Sequence, residues 1–340
     1  MAAGRIAKGC LIGAALALVL SHAPSEGADS RAAKKEGEVV WYSALLLDIS
    51  QAVCNNFNKK QLGVKCTLHR AGSGSIYRRY LQEEKAKLRI ADVFHNADLG
   101  QLINLRKGGH LRAYRPAGIE KFAPGFITPD NAWAILRVGF YVPAYNTRYV
   151  KPGEAPRRWS DFADPKWKGR LSMAHPGTSG FTNVGVIAVA GMYGWDFFKK
   201  LAAQGTKVVE SATGSLTLVT RGEAHASFGT ASYGLFNMIK KGEPLKMVVP
   251  EEGVPLSEGP NAIFRNAPHP NAAEVFTDYL FSLEVQQLLV EKGLHVGHPG
   301  VKYPKEQVPL DKFKLIVVPP EEIQKRSKEV RDKFREIFGI

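Results

Sequence analysis

From residue 39 onward the chain alternates short apolar runs with longer stretches in which apolar residues recur every three or four positions. Val39-Val40-Trp41-Tyr42-Ser43 is a run of β-branched and aromatic residues and predicts a buried strand. Residues 48–60 place Ile49, Ala52, Val53 and Phe57 at helical spacing, and Gly63 stops that helix before a second strand over 64–69. The pattern repeats with a helix over 75–88, a strand over 91–94 and a helix over 98–107 that ends at Gly108-Gly109. Strands alternating with helices predict a mainly parallel sheet covered on both faces.

Residues 133–145 then form a long extended stretch, apolar on both faces, followed by a Pro- and Arg-rich connection over 151–158. A second α/β region covers 170–249, with strands near 171–173, 208–209 and 226–228 and helices near 182–193, 215–221 and 231–240. Residues 259–265 read as a strand crossing back, 271–283 and 282–292 as helices, and 320–338 as a charged amphipathic tail helix. No low-complexity tract or short-period repeat interrupts this order.

The start of the chain has a different character. Arg5 and Lys8 precede an uncharged apolar run over 10–20, and Ser21, Ala23, Ser25, Gly27 and Ala28 follow it. A spanning helix needs about 20 apolar residues, so residues 1–28 read as a signal peptide, cut near Gly27 or Ala28 because cutting after Ala23 would leave Pro24 first. Cys10 opens the apolar run rather than following it, so no lipid anchor is expected. Export to an oxidising compartment permits Cys54 and Cys66 to pair, and two buried thiols on a helix and the next strand is an equal alternative.

The 340 residues carry a net charge of +14, which favours anionic partners only in a general way. Lys and Arg are scattered among acids, and no basic run with interleaved aromatics occurs, so nucleic acid is not an expected partner. There is no P-loop, no G-x-S-x-G elbow and no His/Cys metal cluster; His295 and His298 form an isolated pair. Catalysis is therefore disfavoured, and no cofactor is expected.

A set of short segments, in order, resembles one known family. They are Val39 to Ser43, Gly72-Ser73-Gly74-Ser75, Ala91-Asp92-Val93, Lys107-Gly108-Gly109-His110-Leu111, Tyr145-Asn146-Thr147, Trp159-Ser160-Asp161-Phe162 and the run from Asp164-Pro165 to Gly169-Arg170. Thr178-Ser179-Gly180, Arg221-Gly222-Glu223-Ala224, Pro250-Glu251-Glu252-Gly253 and His269-Pro270-Asn271-Ala272-Ala273 complete the set. The chain resembles, along nearly all its mature length, the bacterial extracellular solute-binding proteins whose best-known branch binds ferric iron. The resemblance implies a type II periplasmic-binding fold, with two α/β lobes joined by crossing strands and the ligand cleft between them. Lobe 1 would comprise 36–133 and 259–300, lobe 2 would comprise 134–258, and 301–340 would be a C-terminal extension ending in a helix. It also implies a periplasmic monomer that delivers a small ligand to the inner-membrane permease of an ABC importer; a sensor for a membrane signalling partner is a rival reading.

The resemblance places the ligand where strand ends meet helix starts, at positions that offer unpaired N–H groups to an anion. Gly72, Ser73, Gly74 and Ser75 make one such cradle and Ser179, Gly180 and Phe181 another; Ser215 begins a third helix, where plain capping is as good an explanation. Ser43 and Ala44 end the first strand, and Asn96 and Asp98 follow the strand at 91–94. Thr230, Ser232 and Tyr233 close the set. The iron branch carries a histidine a little beyond the first strand and two adjacent tyrosines at the last position, whereas this chain has Ala44-Leu45-Leu46-Leu47 and Ser232-Tyr233. Iron wants several anionic oxygen ligands, so the expected ligand is a small organic anion such as a carboxylate, phosphonate or phosphate ester. Ferric iron with a carrier anion, held in part by Tyr233, is the alternative.

Overall fold

The computed structural model describes residues 28–340. The expected signal peptide lies outside them except for Ala28. The chain opens with α1 (Ser30–Glu36), β1 (Glu38–Ser43), α2 (Leu47–Lys59), β2 (Lys65–Arg70), α3 (Ser73–Lys85), β3 (Val93–His95), α4 (Leu99–Lys107) and β4 (Leu111–Arg112). The β-branched and aromatic residues of β1 place it between β2 and β3, parallel to both, with Trp41 and Tyr42 buried.

Then come β5 (Ala134–Asn146), β6 (Leu171–Ala174), α5 (Gly180–Ala203), β7 (Lys207–Val209), α6 (Ala212–Thr220), β8 (Ala226–Ala231), α7 (Ser232–Lys240) and β9 (Leu245–Met247). The chain returns through β10 (Val254–Phe264), α8 (Pro270–Leu280), α9 (Leu283–Glu291), β11 (Leu315–Ile316) and α10 (Pro320–Phe338). The strand order β2-β1-β3-β10-β5-β8-β6-β7 puts the two long antiparallel strands in the middle. All thirteen residues of β5 are buried, which explains its apolar character on both faces.

One end of β10 pairs with β3 and β4, and the far end of β5 pairs with β8 and β9. These two strands therefore join two α/β lobes. The divisions read from sequence at 133/134 and 258/259 fall at the first residue of β5 and inside β10. The structure also starts three helices earlier than the sequence reading does, α6 at Ala212 rather than 215 among them. α3 starts at Ser73 rather than 75, with Gly72 as its cap, and α5 starts at Gly180 and continues past 193 through a kink at Gly194, whose φ is 70°. Gly194 has the left-handed freedom that lets one helical pattern resume beyond another.

Two features fix the frame around the cleft. Cys54 of α2 and Cys66 of β2, left open by the sequence, are joined as a disulfide with Cα atoms 5.3 Å apart. The amphipathic tail helix α10 lies across both lobes: Gln324 bonds Lys107 and Asn104 of α4, while Ser327 accepts from Asn183 of α5 at 2.8 Å and Phe334 meets His175 edge-on. Its buried stripe is Ile323, Ser327, Val330 and Phe334.

Candidate functional site

A cavity of about 290 Å³ lies between the lobes. Lobe 1 contributes Ala44 and Leu46 after β1, Arg70 at the end of β2, Gly72, Ser73 and Ser75 at the start of α3, and Ala97 after β3. Lobe 2 contributes Thr178 to Phe181 at the start of α5, Glu210 to Thr213 at the start of α6, and Thr230, Ala231, Tyr233 and Gly234 where β8 becomes α7. Every one of these positions follows the carboxyl end of a strand or opens a helix. That is the geometry of a ligand crevice in a doubly wound α/β sheet.

Four helices thus aim their N-termini at one space. The N–H groups of a first turn have no partner within the helix and carry the positive end of its dipole. Ser179 caps α5 by accepting from the Thr182 N–H at 3.3 Å, and Ser211 caps α6 by accepting from the Gly214 N–H at 3.0 Å. Each hydroxyl keeps its own proton to donate. Arg70 is the one cationic side chain on the wall and Glu210 the one carboxylate. Arg70 is braced by donating from Nε to the Leu45 carbonyl at 2.8 Å.

The lobes touch at the rim. A Cβ on Gly72 would sit 2.6 Å from the Thr178 carbonyl oxygen, one on Gly180 would sit 2.6 Å from the Ala97 carbonyl carbon, and one on Gly74 would overlap the Gly177 carbonyl. Glycine is needed here because backbone meets backbone, and the arrangement is the closed form of a two-lobed clamp.

Tyr233 and Phe181 form an aromatic wall, their ring centres 5.6 Å apart. Burial pushes the Tyr233 phenol above its ordinary range, and Arg137 and Arg70 pull it back only in part. The donor chemistry suits an oxyanion better than iron. Tyr233 and Glu210 are the only wall groups able to become anionic oxygen ligands, and no cluster of three His, Cys, Asp or Glu exists among the described residues.

Nine residues singled out from the sequence line this cavity: Ala44, Gly72, Ser73, Ser75, Ser179, Gly180, Phe181, Thr230 and Tyr233. Six do not. Ser43 is buried against Ser50 Oγ at 2.9 Å, and Ser232 accepts from the Phe140 N–H at 3.1 Å. Ser215 bonds Ser172 and Ser227 behind α6. Asn96 holds the Ser73 carbonyl at 3.2 Å and the Gln101 side chain at 2.9 Å, so it positions α3 from behind. Asp98 accepts from Gln101 and Asn183, and Gly74 faces a separate cavity bordered by Arg78 and Arg331. For the five polar residues the side chain turns inward to satisfy buried backbone or a neighbour, and Gly74 is set by its close approach to the Gly177 carbonyl.

Leu46, Arg70, Ala97, Glu210, Ser211, Ala212, Ala231 and Gly234 also line the cavity and are not among the ligand contacts expected from the sequence. Arg70 ends the strand read at 64–69, and Ser211 stands two residues past the strand at 208–209, so the strand-end rule applied to every parallel strand finds both. Trp133, just before β5, packs in the core under Arg106, whose Cζ is 5.7 Å from its ring, and does not line the cavity.

The sequence model of the bacterial extracellular solute-binding proteins matches residues 89–315. An uncharacterized protein of Haemophilus influenzae is 27% identical over 276 residues, covering 78% of each chain. Among solved structures, the periplasmic binding protein AfuA of Actinobacillus pleuropneumoniae, with exogenous fructose-6-phosphate bound, superposes with a TM-score of 0.82 at 25% identity, covering 89% of this chain and 99% of that one. Iron-bound HitA of Pseudomonas aeruginosa gives a TM-score of 0.77 at 19% identity over 88% and 99%. These matches establish the type II periplasmic-binding fold, and the chain belongs to the bacterial extracellular solute-binding proteins, the periplasmic, non-enzymatic ligand-carrying components of ABC importers.

Proposed function

We propose that the cleft captures a small organic anion, a phosphate ester before a carboxylate, and delivers it to an inner-membrane permease. The observation that carries this reading is the convergence of four helix N-termini and Arg70 on one cavity with a single carboxylate on its wall. The anionic group would sit against the first turns of α3 and α5, with Ser73, Ser75 and Ser179 donating. Thr230, Tyr233, Ser211 and Thr213 line the remainder, where Glu210 would accept from hydroxyls of the ligand body. The fructose-6-phosphate held by AfuA, at 25% identity, supports a phosphorylated polyol as the ligand class.

In this reading the chain is exported through residues 1–28 and works as a monomer, with lobes 36–133 plus 259–300 and 134–258 closing about β5 and β10. Ferric iron with a carrier anion is the second reading, and the Tyr233 phenol on the cleft wall favours it. A thermal-shift panel on protein stripped of ligand separates them. A ligand at 100 times its Kd adds about 2.7 kcal/mol of stability, a shift of several degrees. Sugar phosphates and small carboxylates should raise the melting temperature and the corresponding neutral sugars should not. A rise confined to ferric citrate, with a coloured complex, would mean iron.

A further inference from the structure

Arg137 is the fourth residue of β5, and its side chain is fully buried. Its Nη1 donates to the Ser257 carbonyl at 3.3 Å, while Nε and Nη2 find no acceptor among the described residues. The guanidinium stacks behind the aromatic wall of the cleft, its Cζ 4.7 Å from the ring centre of Phe181 and 6.0 Å from that of Tyr233. The fold makes room for it. Gly259 lies directly across in the β5–β10 register, and a Cβ there would be 2.5 Å from the Arg137 Cζ.

Nothing nearby balances this charge at contact distance. His95, at the end of β3 on the far side of β10, is fully buried, and burial, followed by Arg137 itself, holds its pKa well below the ordinary range, so the imidazole is neutral. Glu258 is a carboxylate whose charge acts to raise the Arg137 pKa, yet it lines a different cavity with Leu99, Val184 and Ile323 and makes no ion pair with it. Burial lowers the Arg137 pKa to about 10, which still leaves it charged at neutral pH. A buried cation without a hydrogen-bonded counter-ion costs the fold stability, so its retention points to a use.

We infer that Arg137 is a specificity-determining residue of the cleft: its fixed charge, one ring behind Phe181 and Tyr233, selects an anionic ligand, which supplies the counter-charge the fold omits. The inference rests on the anion reading of the site. Arg137 is fully buried behind two side-chain rings, so the attraction is screened far less than one across a surface. The rings themselves accept the cation on their other faces and hold it in place.

The test uses Arg137→Met, which keeps the length and removes the charge, and Arg137→Lys, which keeps a charge. Fructose 6-phosphate is the probe, measured by calorimetry, and melting temperatures are taken without ligand. Arg137→Met should bind the probe at least about tenfold more weakly, and that ratio should persist from about 0.05 to about 0.5 M salt. The same variant should melt higher than wild type without ligand, because the unbalanced charge is gone, and Arg137→Lys should recover part of the affinity. Wild-type binding that Arg137→Met leaves unchanged, or a lower melting temperature for Arg137→Met, overturns the inference and leaves the anion reading intact. Failure of wild type to bind fructose 6-phosphate, inorganic phosphate or a small carboxylate overturns both.

Discussion

Asn183 of α5 donates from Nδ2 to the Asp98 carboxylate of lobe 1 at 3.2 Å and to Ser327 of α10 at 2.8 Å, so one amide ties both lobes and the tail helix together. Asp98 is buried, and burial raises its pKa to about 6 against the opposing pull of Arg331. An open cleft that parts Asp98 from Asn183 and exposes it would return the carboxyl toward its ordinary value of about 3.9. A pKa raised in the closed form means that a bound proton favours closure. That contribution is complete below about pH 4, declines as pH rises, and is lost above about pH 6. Wild-type affinity should therefore fall by at least about fivefold between pH 4.5 and 6.5 relative to Asp98→Asn, measured with the same ligand so that its own titration cancels. Parallel pH profiles for the two proteins would show that Asp98 does not sense closure.

The glycine contacts at the rim make a second prediction. Gly74→Ala places a methyl group against the Gly177 carbonyl, and backbone cannot yield as a flexible side chain would. The variant should fold with wild-type stability in its open form and bind at least about tenfold more weakly, because the closed population falls. Small-angle scattering with saturating ligand should show the radius of gyration remaining at its open value. A wild-type contraction would refute the closed-clamp geometry.

Ser179 has two roles that separate by experiment. Its cap on α5 contributes about 1 kcal/mol to stability, and its hydroxyl proton serves the ligand. Ser179→Ala should lose both, whereas Ser179→Gly should lose only a few tenths of a kcal/mol of stability yet bind as weakly as the alanine variant. If binding tracks stability across the two variants, the hydroxyl does not touch ligand.

The disulfide between Cys54 and Cys66 closes a short loop, with a sequence separation of 12. Replacing both cysteines by serine should cost about 2–4 kcal/mol in urea unfolding with ligand affinity unchanged, since α2 and β2 meet it away from the cavity. An unchanged midpoint would mean that the bond adds nothing to the fold.

The fold was legible because its signals are local. β1, α2 and α4 follow directly from apolar spacing, and the two cradles at Gly72 and Ser179 follow from small and hydroxyl residues placed before helices. What sequence does not show is which way a polar side chain turns. Ser43, Asn96, Ser215 and Ser232 have the right residue types at strand ends or in the first turn of a helix, yet each spends its hydrogen bonds on buried neighbours. Arg137 illustrates the converse: it interrupts an apolar strand as a lone charge, and only the stacking on Phe181 and Tyr233 reveals what it faces. The bridging by α10 is likewise invisible, because an amphipathic pattern predicts a buried stripe and not which elements cover it.

The most direct test is a crystal structure of the protein with fructose 6-phosphate bound in the cleft. The account predicts the phosphate within hydrogen-bond reach of the first-turn N–H groups of α3 or α5 and of Arg70, with the sugar hydroxyls toward Glu210 and Tyr233. A metal ion held by Tyr233 and Glu210, or a phosphate bound outside the cavity between the lobes, would contradict it.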